Sequence, residues 1–159
     1  MATETSIEVG IIGAGIMGEA LLVAISKAGI PVTSIAIADK RSERVAELQR
    51  KYGCAISNPS EIASHAKNIL LVVKPQDMNS LLEEIGKTVS TSQRVISFAA
   101  GKKTSLIEGY MNGSVPVVRV MPNTPMSVGV GASAISGGKN ASTSDIKAVE
   151  DLLSSSGPD

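Results

Sequence analysis

Aromatic residues are nearly absent from this sequence: they make up 2% of the 159 residues, and there is no tryptophan. The core must therefore be built from aliphatic side chains, and stacking platforms for nucleic-acid bases are scarce. The 15 basic residues are balanced by 15 acidic ones, so the chain lacks the positive charge that attracts nucleic acid. No apolar run approaches the ~18 residues of a membrane span, although the mean hydropathy is +0.18. These absences argue against nucleic-acid and membrane partners.

Cysteine and histidine occur once each, as Cys54 and His65. A lone cysteine cannot form an internal disulfide, and residues 1–8 lack the basic and apolar segments of a signal peptide. We therefore expect a reducing, cytoplasmic setting. One residue of each type makes no cluster with metal-ligand spacing, so we expect no metal. We interpret Cys54 as a half-buried structural thiol and His65 as a surface residue.

Apolar segments rich in β-branched residues alternate with segments of helical period along the chain. This pattern predicts an α/β fold with a Rossmann-like, doubly wound, mostly parallel sheet flanked by helices. The predicted strands are residues 7–12, 34–38, 55–57, 69–73, 94–99, 115–120 and 132–136. The predicted helices are residues 15–28, 42–52, 59–66, 78–87, 104–111 and 144–154. The length fits a single domain, residues 1–159, with a core at 7–153 and a frayed polar tail at 154–159.

The first predicted strand is followed at once by a glycine pattern, G-x-G-x-x-G, that opens the first predicted helix. Its residues are Gly13, Ala14, Gly15, Ile16, Met17 and Gly18. In this context Gly13 permits a tight turn, Gly15 leaves room for a pyrophosphate, and Gly18 allows close helix packing. The free N–H groups at the helix start would hold the phosphates. The helix itself is expected to turn an apolar stripe inward: Ile16, Met17, Ala20, Leu21, Ala24 and Ile25.

Asp39 stands 21 residues after Gly18, at the end of the second predicted strand. An acid there can accept hydrogen bonds from the ribose hydroxyls of NAD. Lys40 and Arg41 follow at once, and these cations, with Ser42, could instead neutralise the 2′-phosphate of NADP. The two signals conflict, because an acid facing that phosphate would repel it. We favour NADP, with NAD also accepted.

Three further strand ends are predicted to meet at the same crevice, because ligands of open parallel sheets lie outside the carboxyl ends of the strands. Lys74 follows the buried strand 69–73. Ala99 and Ala100 end the next strand, where small side chains leave room for a flat ring. The third end carries Asn123 and Thr124 between two prolines. The Asn123 amide and the Thr124 hydroxyl are available there for hydrogen bonding.

The combination of these motifs resembles the cofactor domain of pyrroline-5-carboxylate reductases. The segments that carry the resemblance are VGIIGAGIMG (residues 9–18), VKPQ (73–76), AAG (99–101) and VMPNTP (120–125). The glycine turn alone is shared by many dehydrogenases, whereas VKPQ and MPNTP in this order and spacing are far more specific. The resemblance covers nearly the whole chain.

The resemblance implies reduction of the C=N bond of 1-pyrroline-5-carboxylate to proline with NADPH or NADH, the last step of proline synthesis. It also implies a cofactor site. Val73, Lys74 and Pro75 would border the ribose and nicotinamide, Ala99 and Ala100 the ring, with Asn123 nearby. The family's asparagine before the fourth strand matches Asn58. No catalytic acid or base is assigned, because hydride transfer to an electrophilic imine depends mainly on geometry and exclusion of water.

Members of this family continue for about another hundred residues as a helical domain that forms homo-oligomers and contacts substrate. We therefore expect residues 1–159 alone to bind the dinucleotide but to reduce the imine feebly or not at all. Two alternatives stay open. One is a related imine or β-hydroxyacid reductase domain, because fold and cofactor do not choose the substrate. The other is a dinucleotide-binding module without catalysis.

Overall fold

The computed structural model describes residues 7–99, 101–121 and 134–154. Strands and helices alternate along these residues, as the sequence pattern predicts. The strands are β1 (Ile7–Ile12), β2 (Ile35–Ala38), β3 (Ala55–Ile56), β4 (Ala66–Leu71), β5 (Arg94–Ser97), β6 (Val117–Met121) and β7 (Ala134–Gly137). The helices are α1 (Ile16–Lys27), α2 (Ser42–Tyr52), α3 (Pro59–His65), α4 (Pro75–Ile85), α5 (Thr104–Glu108) and α6 (Thr143–Leu152). A short 3-10 helix at Val32–Ser34 precedes β2.

The strands of the described residues form one sheet in the order β3-β2-β1-β4-β5-β6-β7. In β1, Val9 pairs with Ile35 of β2 on one side and with Asn68 of β4 on the other, both in parallel register. Of these strands, only β7 runs antiparallel to its neighbour, β6. The strand order changes direction between β1 and β4, which is the switch point where such sheets bind ligands. The predicted doubly wound, mostly parallel sheet is confirmed.

Helices cover both faces of this sheet with aliphatic side chains. On one face α1, α2 and α6 pack against the strands, with Leu21 and Val149 fully buried. On the other face α3, α4 and α5 do the same, with Ile62 and Leu82 fully buried. Gly10 of β1 faces this second layer, and a Cβ there would collide with the Ile62 side chain. The absence of a side chain at Gly10 therefore lets α3 lie close to β1.

Strand β4 is displaced from its prediction: it runs from Ala66 to Leu71 and not over residues 69–73. The apolar run marked only the second half of the strand, missed its start at residues 66–68 and continued two residues past its end. Asn68 is buried there because its side-chain N–H donates to the carbonyl of Glu8 at 3.3 Å and its oxygen accepts from Arg94 at 2.6 Å. Helix α4 also begins earlier than predicted, at Pro75, because proline is well suited to the first position of a helix.

The predicted apolar stripe of α1 is wrong at its first residue. The Ile16 side chain is 86% exposed, because the helix start stands beyond the end of the sheet, whereas Leu22 is buried in its place. Cys54 is fully and not half buried, and burial raises the pKa of its thiol. His65 is exposed, as expected. Residues 132–133 of the last predicted strand and 155–159 of the predicted tail lie outside the described residues.

Candidate functional site

A cleft of about 500 Å³ opens at the carboxyl ends of β1, β2 and β4. Eight of the predicted site residues line it: Gly13, Ala14, Gly15, Asp39, Lys40, Arg41, Val73 and Lys74. Six lining residues were not predicted: Pro59, Val72, Asp77, Ser80, Leu81 and Glu84. The last four lie on α4, so one side of that helix forms a wall of the cleft. Their spacing of three to four residues, directly after a strand end, is the signal that would have identified this wall.

The glycine turn, residues 13–18, joins β1 to α1, and its three glycines differ in what requires them. Gly13 has a φ of 119°, and a Cβ there would lie 2.6 Å from the carbonyl oxygen of Val72. A Cβ on Gly18 would collide with the carbonyl oxygen of Gly13. Gly15 has a φ of −80°, which any residue adopts, and an added Cβ would meet no atom within 4 Å. The fold therefore requires Gly13 and Gly18, while the space over Gly15 is open.

Helix α1 starts directly beside this open space. Gly15 is its N-cap, and no side chain provides a capping hydrogen bond. The first N–H groups of a helix have no acceptor within it, and they carry the positive end of the helix dipole. An anion over Gly15 would therefore meet backbone donors. Ile16, Met17 and Gly18 form this helix start and do not line the cleft.

Asp39, directly after β2, turns its carboxylate toward the glycine turn. One oxygen, Oδ2, accepts the backbone N–H of Ala14 at 2.7 Å, and Oδ1 accepts that of Arg41 at 2.9 Å. The Arg41 guanidinium donates two more hydrogen bonds, at 2.9 and 3.0 Å. The guanidinium, together with these N–H groups, holds the pKa of Asp39 well below its usual range. Asp39 and Arg41, which the sequence presented as alternatives, thus form one ion pair.

The cations after β2 stay accessible despite this pairing. The Arg41 side chain is 61% exposed, and Lys40 and Ser42 are also exposed. Lys40 and Arg41 both line the cleft. Their charges are therefore available to an anionic group at its edge.

Arg44 of α2 is an important residue that the sequence analysis missed. Its guanidinium donates to the backbone carbonyls of Ala14 at 2.6 Å and Gly15 at 3.4 Å, and to the Glu19 carboxylate at 2.8 Å. These contacts join residues 25 to 30 positions apart, so no local motif marks them.

Lys74 and its neighbours lie on the connection between β4 and α4. Because β4 ends at Leu71, Lys74 stands three positions beyond the strand, as the exposed N-cap of α4. Pro75 is the first residue of α4. Val73 is partly buried against the second apolar layer. Lys74, which the strand-end argument placed at this crevice, and Val73 therefore line the cleft from the α4 side.

Two more of the predicted site residues, Asn58 and Ala99, do not line the cleft. Asn58 is the N-cap of α3, where its side-chain oxygen accepts the backbone N–H of Glu61 at 2.9 Å. Ala99, just after β5, is 3% exposed. Ala100 and Asn123 lie outside the described residues, as does Thr124.

A smaller cleft, of about 290 Å³, is lined by Glu8, Lys67 and Arg94 among others, near the amino ends of the strands. It lies away from the glycine turn, and the Arg94 guanidinium there is already paired with Asp145 at 2.9 Å. Across residues 7–99, 101–121 and 134–154, no group of acidic, His or Cys side chains is arranged to hold a metal ion. In the same residues, no helix combines the length and the apolar character that crossing a bilayer requires.

Comparisons with known proteins identify the family of this chain. Residues 8–101 match the family model described as NADP oxidoreductase coenzyme F420-dependent. The chain belongs to this family. A pyrroline-5-carboxylate reductase from Corynebacterium melassecola is 36% identical over 153 residues, which is 94% of this chain and 57% of that protein. One from Methanosarcina acetivorans is 38% identical over 152 residues, covering 94% of this chain and 56% of that protein.

Solved structures give the same picture. A pyrroline-5-carboxylate reductase from Coxiella burnetii superposes with a TM-score of 0.87 at 28% identity, covering 97% of this chain and 57% of that one. The Plasmodium falciparum pyrroline carboxylate reductase with NADP bound gives a TM-score of 0.77 at 28% identity, over 98% and 57% of the two chains. The resemblance drawn from the motifs is confirmed. The chain spans somewhat more than half the length of these relatives.

Proposed function

We propose that the chain is the dinucleotide-binding part of a pyrroline-5-carboxylate reductase, which reduces 1-pyrroline-5-carboxylate to proline. The observation that carries this proposal is the match of 94% of the chain, at 36–38% identity, to proteins of that name. The proposal includes a homo-oligomer assembled through the part of the relatives that these residues do not span. It also includes a cytoplasmic setting, supported by the single cysteine, which cannot form an internal disulfide.

NADPH is the proposed cofactor, with NADH as the alternative. A pyrophosphate accounts for Gly15, since the fold places no atom within 4 Å of a Cβ there and requires no glycine. The exposed Lys40 and Arg41 would meet the 2′-phosphate, while release of Asp39 from Arg41 would let it bind a ribose hydroxyl. The proposed cofactor-binding residues are Gly13, Ala14, Gly15, Ile16, Met17, Gly18, Asp39, Lys40, Arg41, Asn58, Val73, Lys74, Pro75, Ala99, Ala100 and Asn123.

When bound, the nicotinamide supplies a hydride to the electrophilic carbon of the C=N bond. The residues of this chain orient the cofactor and keep water from it. Val73 lines the cleft after β4, and the buried Ala99 follows the neighbouring strand β5, so a flat ring would pack near these two small apolar residues. No side chain in the cleft is assigned as a general acid or base.

The proposal is tested on the natural protein at its full length, because these residues span 56–57% of the curated relatives. Thermal unfolding is measured with NADPH and with NADH, and NADPH oxidation is followed with 1-pyrroline-5-carboxylate. NADPH at 100 times its Kd should stabilise the protein by about 2.7 kcal/mol. Turnover should reach the order of 10 per second.

Absence of nicotinamide binding would refute the proposal entirely. Binding without imine reduction would instead indicate a module without catalysis. Reduction of other imines, or turnover of β-hydroxy acids, would indicate a related reductase with another substrate. A parallel measurement on residues 1–159 alone reports how much of the binding these residues provide.

A further inference from the structure

We propose that Arg44 is a positioning residue, which aims the backbone N–H groups of Gly15 and Ile16 at the pyrophosphate of the dinucleotide. The identity of this ligand rests on the proposed function. The geometry of the turn does not, because it follows from contacts within the free protein.

The first step concerns the two carbonyl groups that Arg44 holds. Its Nε donates to the carbonyl oxygen of Ala14 at 2.6 Å, and one terminal nitrogen donates to that of Gly15 at 3.4 Å. The Gly15 carbonyl also accepts the backbone N–H of Glu19, the first hydrogen bond of α1, at 3.0 Å. Arg44 thus fixes the orientation of the Ala14–Gly15 peptide group, and it adds a longer contact to the Gly15–Ile16 peptide group that the Glu19 N–H already holds.

The second step follows from peptide geometry. In a planar trans peptide the C=O and N–H bonds point in opposite directions, and the described backbone contains no cis bond. Drawing the Ala14 carbonyl toward Arg44 therefore directs the N–H of Gly15 away from it. In the same way, the Gly15 carbonyl points toward Arg44, so the N–H of Ile16 points away from it. Two successive donors are left pointing away from α2, beside the open space over Gly15, an arrangement suited to a polyanion.

The third step concerns the neighbouring donor. The N–H of Ala14 is taken by the carboxylate of Asp39 at 2.7 Å, so it is not offered to a ligand. Asp39, which follows β2, therefore holds the N–H of Ala14, while Arg44 of α2 holds its C=O. The donors that stay available begin at Gly15.

Arg44 is itself held in place by a network behind it. Glu19 accepts one hydrogen bond from Arg44 at 2.8 Å, one from the Tyr52 hydroxyl at 2.5 Å and one from Lys51 at 3.2 Å. The hydrogen bonds from Tyr52 and Arg44 lower the pKa of Glu19 to about 2, so the carboxylate stays charged even at a pH where an ordinary glutamate is protonated. The planar fork of arginine can reach both carbonyls and Glu19 together, whereas lysine offers a single charged nitrogen.

The test compares Arg44→Lys with the wild type and with Arg50→Lys, a matched control at an exposed position on the same helix. The ligands are NADPH, 2′-phospho-ADP-ribose and 2′-AMP, which contains no pyrophosphate. Arg44→Lys should weaken NADPH and 2′-phospho-ADP-ribose by about tenfold, as expected for misdirected hydrogen bonds to a charged group. Binding of 2′-AMP should be unchanged, and Arg50→Lys should match the wild type throughout. A general loss of structure would weaken all three ligands alike.

Glu19→Gln is a second variant in case Arg44→Lys folds poorly. It should weaken NADPH and 2′-phospho-ADP-ribose binding, by less than Arg44→Lys does, and should leave 2′-AMP binding unchanged. Inorganic pyrophosphate provides a readout independent of the enzyme's substrate. It should shift the amide NMR signals of Gly15 and Ile16 in the wild type and much less in Arg44→Lys. Equal NADPH affinity of the wild type and both variants, or an equal loss of 2′-AMP binding, would overturn the role of Arg44. Failure of imine reduction with intact pyrophosphate binding would overturn the proposed function and leave this role standing.

Discussion

Replacing Gly15 by alanine should separate the stability of the fold from its binding of dinucleotide. The backbone at Gly15 has a φ of −80°, and the new Cβ would meet no protein atom within 4 Å. A Gly→Ala change at such a backbone conformation restricts the unfolded chain, which stabilises a protein by about 0.4–1 kcal/mol, but alanine is a poorer N-cap than glycine by a similar amount. The two effects oppose each other, so Tm without ligand should stay within about 4 °C of the wild type. The same methyl group would occupy the space where the pyrophosphate is proposed to approach the backbone, so NADPH binding should be lost.

The assay is thermal unfolding with and without NADPH, and Gly18→Ala is the control. The wild type at 100 times its Kd gains about 2.7 kcal/mol, or roughly 5–11 °C, whereas Gly15→Ala should gain nothing. Gly18→Ala should have a lower Tm before any ligand is added, because its Cβ would collide with the Gly13 carbonyl oxygen. If Gly15→Ala kept the NADPH shift, or lost stability as Gly18→Ala does, the interpretation of the open space would be refuted.

Three other predictions follow from the site and from α6. Arg41→Ala should weaken NADPH binding about tenfold or more, because it removes a cation that is proposed to meet the 2′-phosphate. NADH binding should be unchanged, because Asp39 is then free to bind a ribose hydroxyl; equal losses of the two cofactors would contradict this. Glu19 has a pKa lowered from 4.5 to about 2, so its contribution to stability is complete above pH 4.5 and is lost as the pH falls toward 2. The difference in Tm between the wild type and Glu19→Gln should therefore shrink over that range, and a constant difference would refute it. Ser142→Ala removes the side chain that accepts the N–H of Asp145 at the start of α6, and it should cost about 1 kcal/mol without changing NADPH binding, as calorimetry and titration would check.

Much of the fold could be predicted from the sequence because most of its elements are marked by local patterns. The bounds of β1 and α2 agree with their predictions to the residue. The errors at the starts of β4 and α4 arose because polar residues lie in a buried strand, as Asn68 does, and because a helix starts at a proline that was passed over, whereas β5 and α5 end two and three residues earlier than predicted. Pro59 was interpreted as a helix start, and the same reasoning applied to Pro75 would have placed α4 correctly.

The site was predicted less completely, and the difference has a physical cause. The glycine turn and the strand ends are visible in the sequence because backbone conformation and sheet topology fix where they lie. The pairing of Asp39 with Arg41 depends on side-chain rotamers. The grip of Arg44 on residues 14 and 15 depends on how α2 packs against α1. Neither leaves a periodic or local signal, so only the folded arrangement reveals them.

The hydrogen bonds from residues 39–44 to the glycine turn have a consequence for changing the nucleotide preference of the protein. Residues 39–44 are the natural target for mutations meant to change the preference from one nicotinamide coenzyme to the other. In this protein the same short stretch also holds the glycine turn in place, through Asp39 at one end and Arg44 at the other. Replacing the whole segment with the sequence of another protein would remove these hydrogen bonds together with the residues that are proposed to select the coenzyme. Redesign should keep the two outer residues and vary only what stands between them.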